Sequence, residues 1–108
     1  MANFQLKRGD TVPALRRTLL NAIDDPVDLT NADVSFHMRQ KGSGDAAVDA
    51  AATVVNASGG EVEYRWEDGD TDEAGVFLAE FEVTYADGSV ETFPNTDNIL
   101  IRINEDIA

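Results

Sequence analysis

Glu73-Ala74-Gly75-Val76-Phe77-Leu78-Ala79-Glu80-Phe81-Glu82-Val83-Thr84-Tyr85 is the stretch whose reading decides the fold. From Phe77 onward, Phe77, Ala79, Phe81, Val83 and Tyr85 fall on one side, and Leu78, Glu80, Glu82 and Thr84 fall on the other. A period of two with the apolar set on one side is what a β-strand with one buried face requires. The segment therefore reads as a central strand, and the rest of the chain is expected to pack around it.

Downstream, the Asp87-Gly88 pair within Ala86-Asp87-Gly88-Ser89 signals a tight hairpin turn, because both residue types tolerate the turn backbone. Val90–Phe93 is the predicted return strand, closed by Pro94-Asn95. Residues 98–104 alternate again, with Ile99, Ile101 and Ile103 facing in and Leu100 and Arg102 facing out. That strand is suited to pair in the sheet that holds 76–85.

Upstream, residues 61–66 set Val62, Tyr64 and Trp66 against Glu61, Glu63 and Arg65, and the only tryptophan is expected to plug the core. Asp33–Gln40 sets Val34, Phe36 and Met38 against Ser35, His37 and Arg39. His37, the only histidine, falls on the polar side and reads as a solvated surface residue. Residues 46–55 are rich in alanine and, bounded by glycine-rich turns, read as one strand. Residues 12–23 admit a helix through Val12, Leu15, Leu19, Leu20 and Ile23, or a strand through the alternation of Ala14, Arg16, Thr18 and Leu20; the turn-linked neighbours favour the strand. Residues 3–7 form a short extended segment that stops at Arg8-Gly9-Asp10, read as a turn and not as an integrin ligand.

Seven to nine short strands and no credible long helix describe an all-β protein: one domain over residues 1–108, an immunoglobulin-like β-sandwich of antiparallel strands. The predicted core is Phe36, Trp66, Phe77, Phe81, Tyr85 and Ile101. With 43% hydrophobic residues the chain can bury such a core. It has no cysteine, so packing must hold it without disulfides, and no Cys-ligated metal site is available. No apolar run is long enough to span a bilayer or to act as a signal peptide, which points to synthesis in a host cytoplasm.

Charge is the compositional outlier. Twenty-one acidic against eight basic side chains give a net charge of −13. A field of that sign argues against nucleic acid and anionic membranes as partners. Self-repulsion of this size is screened by salt, so a halophilic source is expected.

Glu67-Asp68-Gly69-Asp70-Thr71-Asp72 is the one loop that invites a site. Asp68, Asp70 and Asp72 at alternate positions resemble the opening of a calcium loop, but the sixth place is Glu73 and the twelfth is Ala79, where an EF-hand needs glycine and a bidentate glutamate. An irregular Ca2+ or Na+ site is one reading. A solvated loop whose Asp and Thr side chains cap a turn is the favoured one, with no cofactor implied.

Two resemblances bear on function. Glu73-Ala74-Gly75-Val76-Phe77 is similar to the acidic-x-Gly-x-Tyr run that enters strand F of immunoglobulin-like domains, with Phe77 for the tyrosine and Ala79 where antibody domains carry cysteine. Over most of the chain, residues 4–11, 27–30, 34–39 and 66–85, ending in Glu91-Thr92-Phe93-Pro94, resemble the N-terminal domain of the baseplate upper protein of tailed phages and its relatives. That resemblance implies a small β-sandwich in the virion that docks a receptor-binding apparatus, with other virion proteins and copies of itself as partners. The N-terminal strand and the outward apolar Leu78 and Leu100 are candidate contact surfaces. A capsid decoration protein is the alternative within the structural class. A carbohydrate-binding sandwich using Trp66, Tyr64 and the acidic loop is the alternative outside it. An enzyme is not expected, because one surface histidine and no nucleophile motif leave acid–base and covalent catalysis without components.

Overall fold

The computed structural model describes residues 4–107. Its strands are β1 (Phe4–Lys7), β2 (Leu15–Thr18), β3 (Asp33–Gln40), β4 (Ala46–Ala51), β5 (Thr53–Asn56), β6 (Glu61–Tyr64), β7 (Gly75–Thr84), β8 (Val90–Phe93) and β9 (Ile99–Asn104). Asn3, at the start of the first expected segment, lies outside the described residues. The larger sheet has the order β1-β9-β7-β3-β4 with β8 also on β7, and the smaller sheet has the order β2-β6-β5. The two form a sandwich.

β7 organises the larger sheet because it is long enough to take two partners on one edge. β3 runs opposite nearly all of it, from Asp33↔Thr84 to Gln40↔Phe77. A strand has two hydrogen-bonding edges. The remaining edge is shared end to end, β9 pairing with residues 75–79 and β8 with residues 81–84. All these pairings are antiparallel, whereas β1 joins β9 in parallel, Phe4 beside Ile101 and Leu6 beside Ile103.

The alternation in the sequence appears directly as burial. Phe77, Ala79, Phe81 and Val83 are buried, as are Val34, Phe36 and Met38 on β3 and Ile99, Ile101 and Ile103 on β9. Phe36 is the hub between the sheets. Its ring stacks on Tyr64 of the smaller sheet at 4.4 Å between centroids, meets Trp66 edge-on at 5.8 Å and lies 5.2 Å from Phe81. Trp66, just past the end of β6, is 5% exposed and donates its indole N–H to the Pro13 carbonyl at 3.1 Å. The Phe4 ring on β1 lies tilted against it, 6.1 Å away between centroids. Tyr85 departs from the expected core set. It follows the last residue of β7, is only partly buried against the core, and donates its hydroxyl to Glu91 Oε1 at 2.7 Å.

The alanine-rich segment is not one strand but two. Ala52 N–H makes a rung to Val34 O at 2.9 Å, and from Thr53 onward the chain ladders with β6 in the other sheet. Alanine marks neither face, so the alternation carried no sign of the crossing. Residues 12–23 do contain a strand, confined to β2, with Leu15 buried at its start. Beyond it Leu19 is buried as well, and Asn21 Oδ1 accepts the Ile23 and Asp25 N–H groups to close a turn. The stretch after Pro26 forms no strand, yet Leu29 is 1% exposed and its N–H is held by Ala57 O at 2.8 Å.

Candidate functional surfaces

The acidic loop is drawn into the fold. Asp70 Oδ2 accepts the Tyr64 hydroxyl at 2.5 Å and the Glu67 N–H at 2.9 Å, so this carboxylate closes its own turn and caps a core tyrosine. Burial, then the hydrogen bond and charge of Asp70, push the Tyr64 hydroxyl above its ordinary range. Thr71, 1% exposed, donates its hydroxyl to Asp10 O at 2.8 Å, and Gly9 N–H returns a bond to Thr71 O at 3.0 Å. The Arg8-Gly9-Asp10 turn and the acidic loop thus brace each other. Asp68 and Asp72 do not converge with Asp70 on a common point, and among the described residues no group of three or more His, Asp or Glu side chains is arranged to hold a metal ion.

His37 is more constrained than its place on a polar strand face suggested. Its Nδ1 lies 3.2 Å from Glu80 Oε2 and its Nε2 lies 3.3 Å from Asp49 Oδ1. Both partners are its direct cross-strand neighbours, Glu80 on β7 and Asp49 on β4. Each ring nitrogen thus has a carboxylate beside it, one from each neighbouring strand. The sequence placed His37 on its strand but could not show register, and so could not show these neighbours.

On the smaller sheet, Glu63 is buried although it sits among charged residues. Arg16, directly opposite it on β2, reaches it at 3.1 Å, and Arg65 reaches it at 2.9 Å. Hydrogen bonds from Arg65 and then Arg16 hold its carboxyl below the usual carboxylate range.

Leu78 and Leu100 are opposed across β7 and β9 and are half-buried, so they form one cross-strand apolar pair on the outer face. Leu78 also lines a shallow groove of about 290 Å3 with His37, Asp49, Glu80 and Asn98. A larger groove of about 610 Å3 lies between residues 17–24 and the turn after β8, with Arg17, Leu20, Phe93 and Asn98 among its walls. Its two sides come from segments some seventy positions apart, so sequence reading had no access to it. Trp66 and Tyr64 are both buried, which removes the exposed aromatic platform that a carbohydrate module would need. No helix among the described residues is long and apolar enough to cross a membrane.

A family model described as the BppU N-terminal domain matches residues 2–106. No curated protein matches the chain. Among solved structures it is similar to CopC from Methylosinus trichosporium OB3b, with 11% identity and a TM-score of 0.56 over 100% of this chain and 89% of the other. At that identity the likeness shows the β-sandwich fold alone.

Proposed function

Because the chain belongs to the BppU N-terminal domain family, we propose that it is an assembly or docking subunit of a tailed-virus baseplate, working by association and not by catalysis. Membership makes it a phage baseplate protein, hence a component of the virion in contact with other virion proteins. The observation that carries the proposal is the extent of the family match, which takes in nearly every residue of the sandwich. The surfaces support it. The acidic loop is tied down by hydrogen bonds and most of the aromatics are spent on the core, so what is left for function is the outer faces and the strand edges. Copies arranged around a symmetric ring would add modest contacts into a firm attachment through multivalency.

Purified virions of the source phage, analysed by mass spectrometry and imaged by electron microscopy, test this. The expected result is the chain in the particle, with its density at the tail tip. Density distributed over the capsid shell would assign it to decoration instead, and absence from particles would end the structural reading.

The acidity supports a halophilic host. Raising NaCl from about 0.1 M to about 1 M shortens the screening length from about 10 Å to about 3 Å, which relieves repulsion within a chain of net charge −13. The melting temperature of the purified protein is expected to climb across that range. A flat or falling curve would leave the charge as an ordinary solubilising surface.

A further inference from the structure

β4 and β5 form one continuous border of the sandwich, since β4 closes the larger sheet and β5 closes the smaller one, with Ala52 between them. This border is the least charged part of the molecule. From residue 46 to residue 60 the only charged side chain is Asp49, in a chain of which 27% is charged. Asp49 itself has His37 Nε2 at 3.3 Å. The other borders carry Lys7 on β1, Arg16 and Arg17 on β2, and Glu91 on β8.

The backbone of β4 is set for pairing. The Ala52 N–H points inward to Val34 O, and successive residues of a strand point their N–H and C=O groups in opposite directions, so Asp49 and Ala51 turn theirs outward. No strand lies beyond them among the described residues. Sheet edges are commonly blunted by charged residues, proline or β-bulges. Here the side chains at 46, 47, 50 and 51 are all alanine, and the ladder irregularities fall near Ala47 and Val55, leaving 48–51 regular.

We infer that this border is a self-pairing edge, with β4 of one copy adding antiparallel to β4 of a second copy about a two-fold axis. An outward row of N–H and C=O groups is complementary to itself under such an axis. Two chains of net charge −13 repel, and this border is where they bring the least charge together. A basic partner would find its complement on the acidic faces and not here. The inference deepens the assembly reading and rests on its claim that copies of the chain meet.

Sedimentation velocity at about 0.1 M and about 1 M NaCl reads it, because screening of the remaining charge should favour the pair. The expected result is a monomer–dimer equilibrium that shifts toward dimer with salt and with protein concentration. Ala51→Pro removes the outward N–H in each copy and none of the bonds between β3 and β4, so the dimer is expected to weaken about tenfold or more while the monomer stays folded by circular dichroism. Ala51→Glu, which adds a second negative charge to the pairing edge beside Asp49, is expected to weaken it as well, and Ala51→Val, which keeps the N–H, to retain it. A monomer at both salt concentrations, or a dimer indifferent to Ala51→Pro and Ala51→Glu, overturns the inference. A chain found in virions that never pairs through β4 overturns this edge alone, whereas absence from virions overturns the baseplate reading alone.

Discussion

Phe36→Ala is expected to remove about 3–5 kcal/mol of folding stability, the range for deleting a large aromatic side chain from a packed core. Phe36 is fully buried and its ring touches both sheets, stacking on Tyr64 from β6 and tilting against Phe81 from β7, with the Trp66 edge completing the enclosure. Few routes of collapse are open, because each neighbour is itself tied. Tyr64 is held by Asp70, Trp66 by the Pro13 carbonyl, and Phe81 by pairing on both edges, with Phe36 on one side and Phe93 on the other. A domain of this size has a total stability of about 5–15 kcal/mol, so the substitution removes a large fraction of it. Urea unfolding in high salt reads the loss as a lower midpoint at an unchanged slope. Phe36→Leu, which retains most of the volume, should cost less than half as much. A loss below about 1.5 kcal/mol for Phe36→Ala would mean that the two sheets are not joined through this ring.

Gly60→Ala is expected to destabilise by roughly 2–5 kcal/mol, from the left-handed backbone and from overpacking together. Gly60 has φ +67, and a Cβ there would stand 2.8 Å from Val27 O and 3.0 Å from Leu19 O. These are backbone atoms held in place by the Val27 N–H to Leu19 O and Leu19 N–H to Gly60 O hydrogen bonds, so they cannot swing aside as a flexible side chain would. Gly88 provides the comparison. It also has positive φ, +89, but nothing lies within 4 Å of its Cβ position. Gly88→Ala should therefore cost only the backbone term, about 1–2 kcal/mol. Equal losses at the two positions, read from matched unfolding curves, would show that the close approach at Gly60 contributes nothing.

The two glycines look alike in the sequence, each within a Gly- and Ser-containing turn before a strand. Their difference arises because Leu19 and Val27, some forty and thirty positions away, fold across one of them and not the other. The same limit applies to His37. Its polar strand face was legible, but the two carboxylates at its ring nitrogens come from β4 and β7 through register. Asp70 repeats the lesson from the other direction. Three alternating aspartates suggest a cation, and the structure turns one of them onto a core tyrosine hydroxyl instead.

Tyr85 and the alanine run mark where periodicity stops being informative. Tyr85 continues the phase of Phe77 and Phe81, but the strand ends one residue before it and the hydroxyl finds Glu91 at the rim. Between residues 46 and 52 most side chains are alanine, too small to be sorted by burial, so the passage from one sheet to the other left no mark on the pattern.

By itself, then, the sequence determined the all-β class, the inward faces of β3, β7 and β9, and the resemblance to a baseplate domain. Solvent sorts side chains residue by residue, and a period of two records that sorting locally. Only the tertiary structure decided which strands share an edge of β7, where the chain changes sheets, how the acidic loop is used, and which border is left unpaired and nearly uncharged. Those depend on pairings between distant segments, whose backbone hydrogen bonds are chemically the same at every position and so leave no trace in residue identity.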